Sequence, residues 1–165
     1  MPWVRHRRAH RRTVYSRRMT LTVVPVADEN AEVWREIHNL IIPATPLSRA
    51  DVEERRGRNT LTLGVVDDQV VGNATIRPVV DGQATVIVRI LPDHRRRGYG
   101  TEYLQRMLAA ARELGAASVA TVVLAANADG LAFALRRGFM EVERYSVDGA
   151  EFIDLATGVD SLTPA

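Results

Sequence analysis

The residues most able to do chemistry lie together in Val88–Thr101, which reads Val-Arg-Ile-Leu-Pro-Asp-His-Arg-Arg-Arg-Gly-Tyr-Gly-Thr. A β-branched strand is stopped by Pro92. Arg95, Arg96 and Arg97 then lead through Gly98 and Gly100 into an apolar-periodic helix. Such a turn gathers backbone N–H groups at a helix N-terminus, where the helix dipole favours negative charge. Guanidinium groups on the same turn pair with phosphate oxygens, and the glycines allow a ligand close to the backbone. The ligand chemistry that fits is a pyrophosphate. The dinucleotide fingerprint is excluded, because G-x-G-x-x-G would have to follow the strand directly.

A second group lies downstream. Ser118–Leu124 reads as a buried strand, followed by Asn127 and a short helix that stops at Gly138-Phe139. Asn127 is suited to cap that helix, and Gly138 to end it with Phe139 as apolar partner. Taken in order, Pro92-x-x-Arg95-x-Arg97-Gly98-x-Gly100, helix, strand and Asn127…Gly138-Phe139 resemble the GNAT superfamily of N-acetyltransferases. The resemblance is specific over about half of the chain.

The resemblance implies a role for each matching position. The backbone around Ile90 and Leu91 would bond the pantetheine arm of coenzyme A and polarise the thioester carbonyl. Arg95, Arg96, Arg97, Gly98, Tyr99, Gly100 and Thr101 would line the pyrophosphate loop. Asn127 would contact the pantetheine chain, and Arg136 would reach a phosphate. Two positions depart from the family pattern. Where many members carry a tyrosine acid this chain has Ala134, and near the usual glutamate base it has Ala84. Substitutes must come from elsewhere: Glu36 or His38 on the first helix, Glu143 or Tyr145 on the sixth strand, and, more weakly, Asp154.

Composition bounds the rest. A chain of 165 residues, 46% hydrophobic and 25% charged, suits one soluble domain with a single core. With no cysteine there are no disulfides or thiolate metal sites, and the four histidines show no metal-ligand spacing. No metal is expected. All 22 basic residues are arginine, and seven of them precede Met19 in a segment without acids. That leaves 15 arginines against 20 acids from Met19 onward, a formal charge of −5. This balance suits an amine-bearing substrate better than nucleic acid, except through the tail. Residues 1–18 are expected to be a disordered basic tail upstream of a true start at Met19. A twin-arginine export signal is discounted, because Leu21–Ala27 is short, contains Pro25 and runs into Asp28 and Glu29.

Periodicity and turn residues place the elements. Strands are expected at Leu21–Val24, Asn59–Val66, Val70–Arg77, Ala84–Leu91, Ser118–Leu124, Phe139–Val147 and Ala150–Leu155. Helices are expected at Ala31–Ile41, at Arg49–Arg56 behind a Ser48/Asp51 capping box, at Tyr99–Leu114 and after Asn127. The fold class is therefore α/β, one domain over residues 19–158 and a tail at 159–165, and the resemblance implies that its sheet is mixed. By resemblance, seven strands and four helices splay between strands 4 and 5, and coenzyme A enters the opening. The expected activity is transfer of acetyl from acetyl-CoA to a primary amine of a small molecule, in the cytoplasm, with no membrane span. A homodimer is left open. The alternative is a catalytically weak or silent coenzyme A-binding partner domain, which Ala134 and Ala84 keep in view.

Overall fold

The computed structural model describes residues 20–158. The expected tails, 1–18 and 159–165, lie outside the described residues. The elements are β1 (Thr22–Pro25), α1 (Ala31–Ile41), α2 (Arg49–Arg58), β2 (Thr60–Val66), β3 (Gln69–Ile76), β4 (Gln83–Ile90), α3 (Tyr99–Glu113), β5 (Ser118–Leu124), α4 (Ala128–Arg136), β6 (Met140–Val147) and β7 (Ala150–Gly158). One element was not anticipated: a single 3₁₀ turn over Pro92–His94, which Pro92 opens in the position where its missing N–H costs least.

The seven strands form one sheet in the order β1-β2-β3-β4-β5-β7-β6. Every neighbouring pair is antiparallel except β4–β5. That parallel pair is held only at Gln83↔Ser118, Ala84↔Val119 and Thr85↔Ala120. Beyond Thr85 and Ala120 the two strands part, and the sheet splays as the resemblance implied.

The hairpins follow from turn chemistry. Asp67 and Asp68 both take positive φ, as do Asp148 and Gly149, giving two-residue turns that match strand twist. Ser48 and Asp51 form the expected reciprocal capping box at α2. Asn30 behaves differently from a helix cap. It makes no side-chain cap bond to α1, and instead accepts from Ala27 N (2.8 Å) and donates to Pro25 O (3.1 Å), tying the β1–α1 loop together. Gly115 and Gly138 end α3 and α4 in left-handed conformations, and each is followed by a bond back five residues, Ala116 N to Ala111 O and Phe139 N to Ala134 O.

Two cores lie on opposite faces of the sheet. On one, α3 buries Tyr99, Tyr103, Leu104, Met107, Leu108 and Ala111 against Ala74, Ile76, Val86, Val119, Ile153 and Leu155. Tyr103 is fixed by a 2.7 Å hydrogen bond with Thr62. On the other, Trp34 and Ile37 of α1 and Val52 of α2 pack on Leu61 and Leu63. Trp34 donates to Ala74 O and Asn73 donates to Trp34 O, which pins α1 onto β3. Val33 of α1 is exposed, whereas His38 is buried with Trp34 and Ile37.

Candidate active site

The splay leaves a cavity of about 330 Å³. Its walls are the diverging halves of β4 (Ile87, Val88, Arg89) and β5 (Thr121–Leu124). Helix α4 closes one side with Asn127, Gly130, Phe133 and Ala134. His38 and Ile41 of α1, Arg55 of α2, and Tyr145 and Phe152 of the β6–β7 hairpin close the other.

At the mouth of this opening the arginine-glycine turn has the form of an anion cradle. Arg96 is held at φ +63 and Gly98 at φ +85, so the chain alternates handedness as it enters α3. Such alternation turns successive N–H groups inward. Gly98 is the N-cap of α3 and supplies no side-chain cap bond. The first-turn amides are thus left for an anion. Arg96 and Arg97 are exposed, while Tyr99 turns its ring into the core and offers only backbone. Arg95 has another partner: its Nε donates to Ile90 O at 2.9 Å, bracing the end of β4 against the loop.

Arg136, expected to reach a phosphate, is exposed on α4. Its neighbour Arg137 is the arginine that meets the loop. It donates to Thr101 Oγ1 and lies over the Phe133 ring, 4.8 Å from the centroid. Its Nε is buried without a partner. Sequence reasoning passed over Arg137, and only one residue of helical phase separates it from Arg136. Asn127 is first a cap, accepting from Gly130 N at 3.0 Å. It also lines the cavity, so capping and ligand contact are compatible.

The proton-handling candidates separate by position. Glu36 is exposed on α1 and does not line the cavity. Glu143 is exposed on β6, beside Tyr145 but outside the cavity wall. Tyr145 and His38 are in the wall. Tyr145 donates to Asp154 Oδ1 at 3.0 Å and stacks on Phe152. Burial and the neighbouring Asp154 carboxylate raise its phenol above the usual range. His38 is 4% exposed, stacks on Trp34, and places Nε2 3.2 Å from Thr45 O. Burial, then the charge of Arg89, pushes its pKa down to about 4. A neutral ring facing a carbonyl must carry its proton on Nε2, which leaves Nδ1 as a bare, buried lone pair without a partner.

Ala134 lies in the cavity wall, 4% exposed, with no proton to give. Ala84 is fully buried at the closed end of the splay, where β4 still pairs with β5, and does not line the cavity. Among the described residues no group of three histidines or acids could hold a metal ion. Nor is any helix there long and apolar enough to cross a membrane.

The acetyltransferase (GNAT) family model matches residues 25–139, which run from the last residue of β1 to just past α4 and hold the loop, Asn127 and Gly138-Phe139. The chain belongs to the GNAT acetyltransferase family. Solved structures agree on the GNAT fold. Ard1 from Thermoplasma volcanium superposes with a TM-score of 0.75 at 17% identity, covering 84% of this chain and 97% of that one. The ribosomal-protein-S18-alanine N-acetyltransferase from Escherichia coli gives 0.70 at 22% identity, covering 85% and 94%. The putative acetyltransferase yncA from Salmonella typhimurium, solved with acetyl-CoA, gives 0.66 at 16% identity, covering 86% and 95%. No curated protein matches the sequence significantly. The matched span includes the parting halves of β4 and β5, the loop and both alanines, Ala84 and Ala134.

Proposed function

We propose that this GNAT domain is an acetyl-CoA-dependent N-acetyltransferase acting on a primary amine of a small molecule. The observation that carries the reading is the cavity between the diverging halves of β4 and β5, walled by Asn127, Tyr145 and His38, with the arginine-glycine turn following the open end of β4. The residues present fit coenzyme A. The uncapped start of α3, the left-handed Arg96 and Gly98, and the buried, unpartnered Arg137 Nε all call for an anion. Acetyl-CoA would bring the activated acetyl group. The size of the pocket suits a small acceptor.

Tyr145 is the proton handler in this reading. Its hydroxyl hydrogen is committed to Asp154, so the phenol oxygen offers lone pairs to an amine N–H in the cavity. As the amine attacks, its proton passes to the phenol oxygen while the phenol proton moves to the Asp154 carboxylate; the thioester C–S bond would then break, with coenzyme A leaving as a thiolate that takes its proton from water. A positioned relay of this kind contributes typically 10²–10⁴-fold.

The test is thiol release from acetyl-CoA with a panel of small amines. Turnover is expected, and Tyr145→Phe should lower kcat by about 10²-fold or more while acetyl-CoA still raises Tm. The rate should climb with pH as the amine deprotonates and hold level to pH 10, because the phenol titrates above its ordinary 10. A descending limb below that, lost in Tyr145→Phe, would instead make Tyr145 a general acid. Gly98→Glu should abolish the acetyl-CoA shift by putting a carboxylate where phosphate belongs. The buried Ala134 favours a second reading, a coenzyme A-binding domain without transfer. Tight acetyl-CoA binding with no turnover on any amine would select it.

A further inference from the structure

Three arginines line the cavity from three separate places in the fold: Arg55 from α2, the exposed Arg77 just past β3, and Arg89 from β4. Among the described residues none of the three has an ion-pair or side-chain hydrogen-bond partner. The contrast within α2 is direct, since Arg49, Arg56 and Arg58 are all paired with acids and Arg55 is not. Arg89 is the most enclosed, and its Nη1 is buried without a partner. The three act on one another. Burial, then Arg55 and Arg77, pushes Arg89 down to about 10. The acids that act on Arg55, Glu54 and Asp51, stand on its own helix outside the cavity wall, and Asp154 is taken by Tyr145.

Leaving a buried guanidinium donor unmade is costly, and grouping like charges adds to the cost. An anion in the cavity would remove both penalties. The coenzyme A phosphates are not that anion, because Arg95–Arg97 and Gly98 do not line this cavity. We propose that Arg89, with Arg55 and Arg77 around it, is an oxyanion subsite for the acceptor, and that the acceptor is a small amine that also bears a carboxylate. The inference rests on the transfer reading above. It also reverses what overall charge implies: the domain is acidic from Met19 onward, but its pocket is cationic. Tyr145 shares the same cavity, so a carboxylate on the arginines leaves the amine of a small amino acid close to the proton handler.

The experiment compares amino acids with their own carboxamides as acceptors, followed by thiol release from acetyl-CoA. The acids should be preferred in kcat/KM by roughly 10- to 100-fold, the range of a hydrogen bond to a charged group. In Arg89→Met the preference should collapse, while the acetyl-CoA shift in Tm persists and the ligand-free Tm holds or rises. Carboxamides used as well as acids would overturn the inference. So would a lowered Tm with the acid preference intact, since Arg89 would then be structural. Arg55→Met provides the same comparison if Arg89→Met does not fold. If no acceptor is turned over, the transfer reading fails by itself, and calorimetry of the same amino acids with coenzyme A present decides the subsite. Carboxylate-dependent binding lost in Arg89→Met supports it, and no binding overturns it.

Discussion

His38 shows how one residue records the character of this pocket. Its ring is stacked on Trp34, shielded from water and close to two unpaired arginines, Arg89 and Arg55. Burial and both arginines disfavour the charged form, and the Thr45 carbonyl favours it. The folded protein therefore holds the proton only below about pH 4, whereas the unfolded chain takes it up near the ordinary 6.5. Between those values the unfolded state binds more protons, so stability falls as pH drops through the window and the effect levels off on either side. The difference corresponds to about 3 kcal/mol at most. Urea denaturation of wild type and His38→Gln between pH 7.5 and 4 should show wild type losing more stability across the window. Parallel curves would mean that His38 is wetter than its burial implies. The resemblance made His38 of the first helix a candidate, but nothing local signals its partnerless Nδ1, because that depends on what β4 and α2 bring near it.

Most elements were legible because local rules and tertiary demands agree. Asp-Asp and Asp-Gly turns set the hairpins, the Ser48–Asp51 box starts α2, and the spacing of Leu104, Met107, Leu108 and Ala111 gave the buried face of α3. The form of the loop was legible because its proline, arginines and glycines are contiguous in sequence, and Asn127 was legible as the cap of α4. The cluster of Arg55, Arg77 and Arg89 was not, since it forms only when α2, β3 and β4 come together. The pairing of β3 with the free half of β4 includes a close approach that sequence does not announce. A Cβ on Gly72 would stand 2.1 Å from the carbonyl oxygen of Arg89, backbone that cannot swing aside. Gly72 pairs with Ile90, so this close approach holds the half of β4 that leaves β5 and ends in the loop. Gly72→Ala should destabilise by about 1–3 kcal/mol and weaken acetyl-CoA binding together. A variant with wild-type urea stability would show that β3 and β4 can separate there without loss. Gly100 provides the control: an added Cβ would meet Ile90 and Phe133 at ordinary contact distances, 3.6–3.9 Å. Gly100→Ala should leave the fold stable and affect only the ligand.

At the scale of the molecule, the sheet comes close to being two sheets, joined by three parallel pairs between β4 and β5. One core makes them a single body. Ala84 and Val86 from one side meet Val119, Ile153 and Leu155 from the other beneath α3. The far edge is anchored too, since Leu21 N donates to Glu102 of α3 at 3.1 Å. All of these contacts lie between residues 21 and 158, and so does the whole proposed site. A chain beginning at Met19 should therefore melt as cooperatively as the full chain. Acetyl-CoA at a hundred times its dissociation constant should stabilise both equally, by about 2.7 kcal/mol. The seven arginines before Met19 have a separate expected effect. The remainder carries a formal −5, which repels nucleic acid, so any DNA binding should require residues 1–18 and weaken steeply with salt. Paired melting curves and a salt titration check both parts. If the chain from Met19 melts lower or loses its response to acetyl-CoA, the segment before Met19 must contribute to the body that holds the splay open. The core beneath α3 would then be only part of what keeps the two halves of the sheet together.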